Sequence, residues 1–419
     1  MNILFIHQNF PGQFKNLAPA LANERHRVVA LTLRVKEPLT WKGVRILPYD
    51  IKRKSGQNVH PWLVDMDTKV TRGEACYHGA MALKKAGFNP DVIIAHPGWG
   101  ESLFLRDVWP EARIGLYCEL YHEGGYPHVN FDPEFPSREG DAEPLRIRLK
   151  NLNNLMHFQI GDAGVSPTKF QADTFPPSYR NEISVIHDGI DTDHVVAKPD
   201  VVFEVESGPT LSRDDEVITF VNRNLEPYRG YHIFMRALPD LLKQRPNAQV
   251  LIVGGDDVSY GARPAKGKTW KQIFIDEVRD QIPDADWARV HFLGRIPYDK
   301  FIALLQVARV HVYLTYPFVL SWSLFEAMSA EGAIVASSTD PVLEAIEHDV
   351  TGRLVDFFDP AAMVREVCDL LDDDASRARL GKAARAHITQ NYDLKRICLP
   401  QQMQWVADLA AKTPRPIPE

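Results

Sequence analysis

Short apolar runs alternate with amphipathic stretches along most of the chain, a pattern that predicts buried parallel strands joined by helices. Asn2–Ile6 (NILFI) reads as the first strand, followed by the loop HQNFPGQF and a helix to Asn23 with Leu17, Ala18, Leu21 and Ala22 on one face. Val28–Leu33, Val44–Pro48, Asp91–Ala95 and Arg113–Glu119 continue the series, with Pro61–Phe88 mostly helical between them. The Gly-, Pro- and His-rich stretch Tyr121–Asp141 breaks the rhythm and predicts a binding loop or lid, with a helix from Glu143 to Phe158 after it. Ala163–Ser166 and Ile183–Ile186 close the first half, and Asp191–Asp215 has linker character.

The pattern then restarts. Glu216–Asn222, Gln249–Val253, Arg289–Phe292, Val310–Thr315, Ala333–Ala336 and Arg353–Val355 read as strands, and three helical segments after Pro360 end the chain. Two βαβ halves imply two open sheets facing each other, with the ligand beyond the carboxyl ends of the strands. The expected units are residues 1–198, residues 199–393, and a C-terminal helical segment 394–419 returning to the first unit. Loops placed to border the cleft are His7–Gly12, His96–Glu101 and Glu119–His122.

Composition narrows the class. At 419 residues, 45% hydrophobic and 25% charged, the chain is an ordinary globular protein of more than one domain. A net charge of −7 offers no global field for nucleic acid. Four scattered cysteines without a CxxC pair point to a reducing cytosol and away from a cysteine zinc site. No apolar run reaches membrane-spanning length, so a cytoplasmic location is expected. Basic stretches such as Arg146–Lys150 still permit a peripheral contact at the inner face of a membrane.

Candidate chemistry gathers at strand ends. Arg223 and Arg229 flank the loop NRNLEPYRG between a strand and a helix, a placement suited to a diphosphate, although solvated surface arginines give the same pattern. In LTYPFVLSWSLFEAMSAEG, Ser321 is a natural N-cap, and Glu326 either faces the same cleft or is merely solvated on an amphipathic core helix. Glu119, His122 and Glu123 are the best acid/base cluster of the first half, and surface pairs of this kind are common. His7 suits a structural cap as well as a direct role. In Gly254–Thr269, Gly261 and Gly267 enclose five residues where a phosphate loop needs four, so an irregular basic loop is expected instead of an NTPase site.

With these pieces placed, the chain resembles the family-4 retaining glycosyltransferases (group 1 glycosyl transferases) of GT-B fold. The resemblance is carried by MNILFIHQNFPGQFKNLAPALA, VIHDGIDTD, FVNRNLEPYRG, HFLGRIPYD and LFEAMSAEGAIVAS running on to DVTGRLVD. It implies an α/β protein of two Rossmann-like domains. It also implies metal-independent transfer of a sugar, with retained configuration, from a nucleotide-diphosphate sugar to a saccharide or glycolipid hydroxyl. No cofactor is implied beyond that donor, and the setting would be polysaccharide or glycoconjugate biosynthesis.

On this resemblance Arg223 and Arg229 hold the diphosphate, Ser321, Trp322 and Ser323 meet the phosphate, and Glu326 holds the ribose. Arg295 and Ile296 border the base, and Gly12 belongs to the first domain's loop on the donor. Glu119 and His122 are the catalytic candidates of the first domain, and His96, Trp99, Glu101, Tyr121 and His128 are expected on the acceptor. Eight residues before Glu326 the family's first glutamate is replaced by Phe318, which with Trp322 makes that part of the pocket more apolar. A nucleotide-sugar epimerase of the same fold and a non-catalytic sugar-nucleotide-binding protein are the alternatives.

Overall fold

The computed structural model describes residues 1–56, 58–122, 128–137, 139–206 and 208–417. The chain forms two compact units, Met1–Gly189 with Lys395–Glu419, and Ile190–Leu394.

The first unit is built on an eight-stranded sheet. Its strands are β1 (Asn2–Ile6), β2 (Arg27–Thr32), β3 (Leu39–Trp41), β4 (Val44–Pro48), β5 (Val92–Ala95), β6 (Arg113–Tyr117), β7 (Ala163–Ser166) and β8 (Ile183–Val185). The order is β3-β4-β2-β1-β5-β6-β7-β8, and every pairing is parallel except β3 with β4. Strand β1 explains why the apolar runs are unbroken. Leu4 and Ile6 enter one core with Val29, Ile93 and Leu116, whereas Ile3 and Phe5 enter another with Phe14, Val28 and Ile94. Both faces are covered over Ile3–Ile6, so each of these four residues is apolar, while Asn2 at the half-buried start of the strand is not. The helix Leu399–Ala410 covers part of the second face, its Trp405 and Leu409 seated on Gly115 of β6, where a Cβ would lie 2.4 Å from the indole.

The second unit carries β9 (Phe203–Glu204) and β10 (Thr210–Leu211) as a small antiparallel pair. Its main sheet contains β11 (Val217–Asn224), β12 (Gln249–Gly255), β13 (Val290–Gly294), β14 (Val310–Tyr313), β15 (Ala333–Ser337) and β16 (Arg353–Val355). The order is β13-β12-β11-β14-β15-β16, parallel throughout.

Four expectations need correction. The expected linker contains β9 and β10, because Val195, Phe203, Val205 and Leu211 are buried in the second core. Strand β3 escaped notice, being three residues at a sheet edge with largely exposed side chains. The helix expected over Glu143–Phe158 is two helices, Glu143–Lys150 and Leu152–Ile160, meeting at Asn151. There the Asn151 side chain accepts the His122 N–H at 3.0 Å. Strands β6 and β14 also end two residues earlier than expected, at Tyr117 and Tyr313.

Candidate active site

In the second unit the chemistry clusters at the carboxyl ends of β11 and β14. Arg229 follows β11 in a short turn and is buried. Its Nη1 donates to Thr315 Oγ1 at 2.8 Å and to the Val319 carbonyl at 2.9 Å, and its guanidinium lies 5.0 Å from the centre of the Tyr260 ring and 5.9 Å from that of Phe318. Neutral oxygens and aromatic faces orient it, so its charge stays available to a ligand. Arg223, at the end of β11, is exposed and makes no ion pair among the described residues.

Glu226, between the two arginines, performs a task not foreseen from the sequence. Fully buried, it accepts the N–H groups of Ser259, Tyr260 and Gly261 at 3.0, 3.3 and 3.0 Å. Three backbone bonds to one carboxylate fix the irregular loop that brings Tyr260 onto Arg229. The position of Glu226 inside the conspicuous NRNLEPYRG block was the available signal. Phe318 joins the same aromatic group, edge-on to Tyr228 at 5.4 Å and tilted against Tyr260 at 4.9 Å.

Ser321 caps the helix Trp322–Ser329 as expected, its side chain accepting from the Ser323 N–H at 3.3 Å. The Ser321 N–H itself donates to the Tyr313 hydroxyl at 2.9 Å. Two of the amides expected at a phosphate are therefore engaged by the protein in this structure. Trp322 packs against the core. Glu326 is buried, and its Oε1 accepts the Tyr298 hydroxyl at 2.6 Å. Burial, and then the carboxylate beside it, push the Tyr298 phenol well above its ordinary range.

Arg295 helps line a pocket of about 430 Å3 with Gly254, Gly255, Asp256, Lys271 and Gly294. Its Nη2 donates to Asn224 Oδ1 at 3.0 Å, and a Cβ on Gly255 would lie 2.7 Å from its Nε, so the glycine is what admits the guanidinium. Ile296 packs on the core beside this pocket.

In the first unit His7, His96, Trp99 and Tyr117 gather at the ends of β1, β5 and β6. The His96 ring is stacked between Trp99 at 4.5 Å and Tyr117 at 5.3 Å, with His7 edge-on at 5.3 Å. His96 Nδ1 accepts the Gly98 N–H at 3.2 Å, which leaves the proton on Nε2, 3.8 Å from Glu119 Oε2. His7 Nδ1 likewise accepts from the Asn9 N–H, and its Nε2 meets Gln13 Oε1 at 2.9 Å. Burial lowers its pKa to about 4, so the ring is neutral. Gly12 lies over this ring in a left-handed conformation, φ 47°, where a Cβ would come within 2.3 Å of Nε2.

The other first-unit candidates sit apart. Glu119 reaches His96, whereas the charged groups acting on His122 are Lys150, His128, Lys69 and Arg146. Glu123 lies outside the described residues. Tyr121 packs against Phe175. Glu101 is fully buried, accepts the Tyr49 hydroxyl at 3.1 Å, and has its pKa raised by burial. It is a wall residue, not an exposed acceptor contact.

Comparison with known proteins identifies the family and the fold. A family described as Glycosyl transferase family 4 group matches residues 24–195, and one described as Glycosyl transferases group 1 matches residues 203–387. The D-inositol 3-phosphate glycosyltransferase of Streptomyces avermitilis is 26% identical over 262 residues, 59% of this chain and 52% of its own length. The chain thus spans about half the length of that relative. Among solved structures, the sucrose-phosphate synthase of Thermosynechococcus elongatus superposes with a TM-score of 0.72 at 16% identity, over 98% of this chain and 100% of its own. Anabaena HepE, solved with UDP and glucose, gives 0.67 at 16% identity, over 97% and 100%. At such identities these likenesses show the fold, which is of GT-B type.

Proposed function

Because the chain belongs to the family 4 and group 1 glycosyl transferases, we propose that its two units divide a retaining, metal-independent sugar transfer between them, the second holding a nucleotide-diphosphate sugar and the first an acceptor hydroxyl. The observation that carries this reading is Arg229, a buried guanidinium held by neutral oxygens and, among the described residues, in no ion pair with a carboxylate, the Glu226 carboxylate reaching it through its field and not by contact. With Arg223 beside it, this charge stabilises the diphosphate as the glycosidic bond breaks, and preorganised electrostatics of this kind is often the largest catalytic contribution. Glu326 accepts from the donor ribose, and the pocket at Arg295 takes the base. On the acceptor side, the Nε2–H of His96 and the Glu119 carboxylate position a saccharide or glycolipid hydroxyl.

The test is incubation of the purified protein with a panel of nucleotide sugars, with and without acceptors. Nucleoside diphosphate should be released in step with product, the anomeric coupling in the product's NMR spectrum should match the donor's, and a chelator should leave the rate unchanged. Arg223→Ala should remove measurable donor binding; unchanged affinity sinks the diphosphate assignment. The packing of Phe318 against Tyr228 and Tyr260 favours a second reading, a protein that binds the nucleotide sugar without transferring it. Tight binding without turnover on any donor would establish that reading, and isomerised donor would point to an epimerase.

A further inference from the structure

In the second unit, one buried residue ties the turn that carries Arg229 to a loop elsewhere in the chain. The main-chain carbonyl of Glu226 accepts the Arg229 N–H at 3.1 Å, and its carboxylate takes the N–H groups of Ser259, Tyr260 and Gly261. Asn224, the last residue of β11 and also buried, adds a second tie. Its Nδ2 donates to Ser259 Oγ at 2.8 Å, while its Oδ1 accepts from Arg295.

The loop has little else to hold it. From residue 256 to 268 it is neither helix nor strand, and every residue is exposed or half-buried. A stretch without apolar burial opens easily unless polar anchors fix it, and three N–H groups on one carboxylate are anchors of the strong, charge-assisted kind. Tyr260 itself is 40% exposed, so packing does not place its ring. Its own N–H, held by Glu226, brings the ring to 5.0 Å from the Arg229 guanidinium.

That ring matters because of how Arg229 is held. The bonds to Thr315 and Val319 both use Nη1, so they pin one corner of a planar group, and the aromatic ring restricts how the plane turns about that corner. A guanidinium grips a diphosphate through its flat fork, so the direction of the plane decides how well it binds. We propose that Glu226 and Tyr260 are positioning residues for the donor: Glu226 fixes the loop, the loop sets the Tyr260 ring, and the ring aims Arg229 at the diphosphate. This rests on the reading of the second unit as the donor side.

Calorimetry on the full chain with UDP and with inorganic pyrophosphate tests it, for wild type, Glu226→Gln, Tyr260→Ala, Tyr260→Phe and the double variant of Glu226→Gln with Tyr260→Ala. Glutamine keeps the shape of the side chain but offers one acceptor oxygen in place of two, so it releases part of the loop. Glu226→Gln and Tyr260→Ala should each weaken both ligands about fivefold, the size of an oriented contact between a cation and a ring, and Tyr260→Phe should recover most of the loss. The sign separates positioning from charge. If the negative field of Glu226 on Arg229 were its whole effect, removing it would tighten anion binding, and tighter binding by Glu226→Gln would overturn the proposal. The double variant should bind no more weakly than Tyr260→Ala, because the two residues act in series; additive losses would overturn it. Hydrogen exchange reads the geometry without a ligand: protection of the amides of residues 259–261 should fall in Glu226→Gln, and unchanged protection would count against the proposal as decisively. If wild type binds neither UDP nor pyrophosphate, the donor reading fails and takes the proposal with it, whereas wild-type binding that the variants retain in full overturns the proposal alone.

Discussion

The two units each bury an arginine, and the two arginines are treated in opposite ways. Arg106, in the first unit, is fully buried and donates to the carbonyls of Pro110, Ala112 and Ile160 and to Asp162 Oδ2 at 2.7 Å. Asp162 in turn accepts the N–H groups of Ile114 at 2.6 Å and Arg415 at 2.7 Å. That cation is neutralised in place and ties β6 to the chain's C-terminal segment. Arg229, in the second unit, is also buried, but among the described residues it is oriented by a hydroxyl, a carbonyl and aromatic rings, and Glu226 acts on it without an ion pair. The first arrangement commits its charge to the fold, and in the proposed function the second offers it to the diphosphate. Burial alone therefore does not distinguish a structural arginine from a binding one, whereas the charge of its partners does.

Removing the neutralising partner should give the largest effect. Asp162→Ala strands the Arg106 guanidinium in the core and should lower unfolding stability by about 3–5 kcal/mol, read by denaturant titration. A loss below about 1 kcal/mol would show the pair to be dispensable. Arg229→Ala should behave differently, with a smaller loss of stability and a fall of about 100-fold in UDP affinity, from two charge-assisted contacts at roughly 1.5 kcal/mol each. If Arg229→Ala binds UDP like wild type, the contrast between the two arginines fails.

Much of this was legible in the sequence and some was not, for physical reasons. Strands such as NILFI are covered on both faces, so their apolar runs are continuous and short-range pattern finds them. Strand β3 and the pair β9–β10 are short; β3 is placed by pairing with β4, and β9–β10 by tertiary contacts of Phe203 and Leu211, which no local period encodes. At the site, Arg223, Arg229 and Glu326 stood out as charged residues at strand and helix ends. Glu226, Tyr260 and Tyr298 did not, because their roles depend on loops folding back over 28 to 35 residues of chain to reach them. The pairing of Glu119 with His96 instead of His122 follows from β5 and β6 being neighbours in the sheet, which spacing along the chain cannot show.

The units also differ in their neutral buried histidines, a difference that acid exposes. His7, His157 and His187 in the first unit have pKa values lowered to about 4, 4 and 3, and in the second His311 is lowered to about 4, all chiefly by burial. Each is uncharged when folded and takes up a proton on unfolding, so its stabilisation is full above the unfolded value of about 6.5 and is lost as pH falls towards 4. At pH 5.5 each should cost on the order of 1 kcal/mol. Hydrogen exchange should therefore show protection in the first unit's sheet falling further than in the second's between pH 7 and 5.5. Equal losses would mean that the histidines do not set acid sensitivity.

The smallest effect concerns the hydroxyl that holds Glu326. Tyr298 donates to Oε1 at 2.6 Å, so its hydroxyl fixes the orientation of the carboxylate that is proposed to hold the donor ribose. Tyr298→Phe should weaken UDP by about fivefold, one hydrogen bond's worth of about 1 kcal/mol, and should leave 2′-deoxy-UDP nearly unchanged, provided the 2′-hydroxyl is what Glu326 reads. Tighter UDP binding in the variant would give the opposite account, with Tyr298 a competitor that the ribose must displace. The two outcomes separate a positioning hydroxyl from a blocking one, and they do so at the residue that joins the HFLGRIPYD segment to the helix Trp322–Ser329.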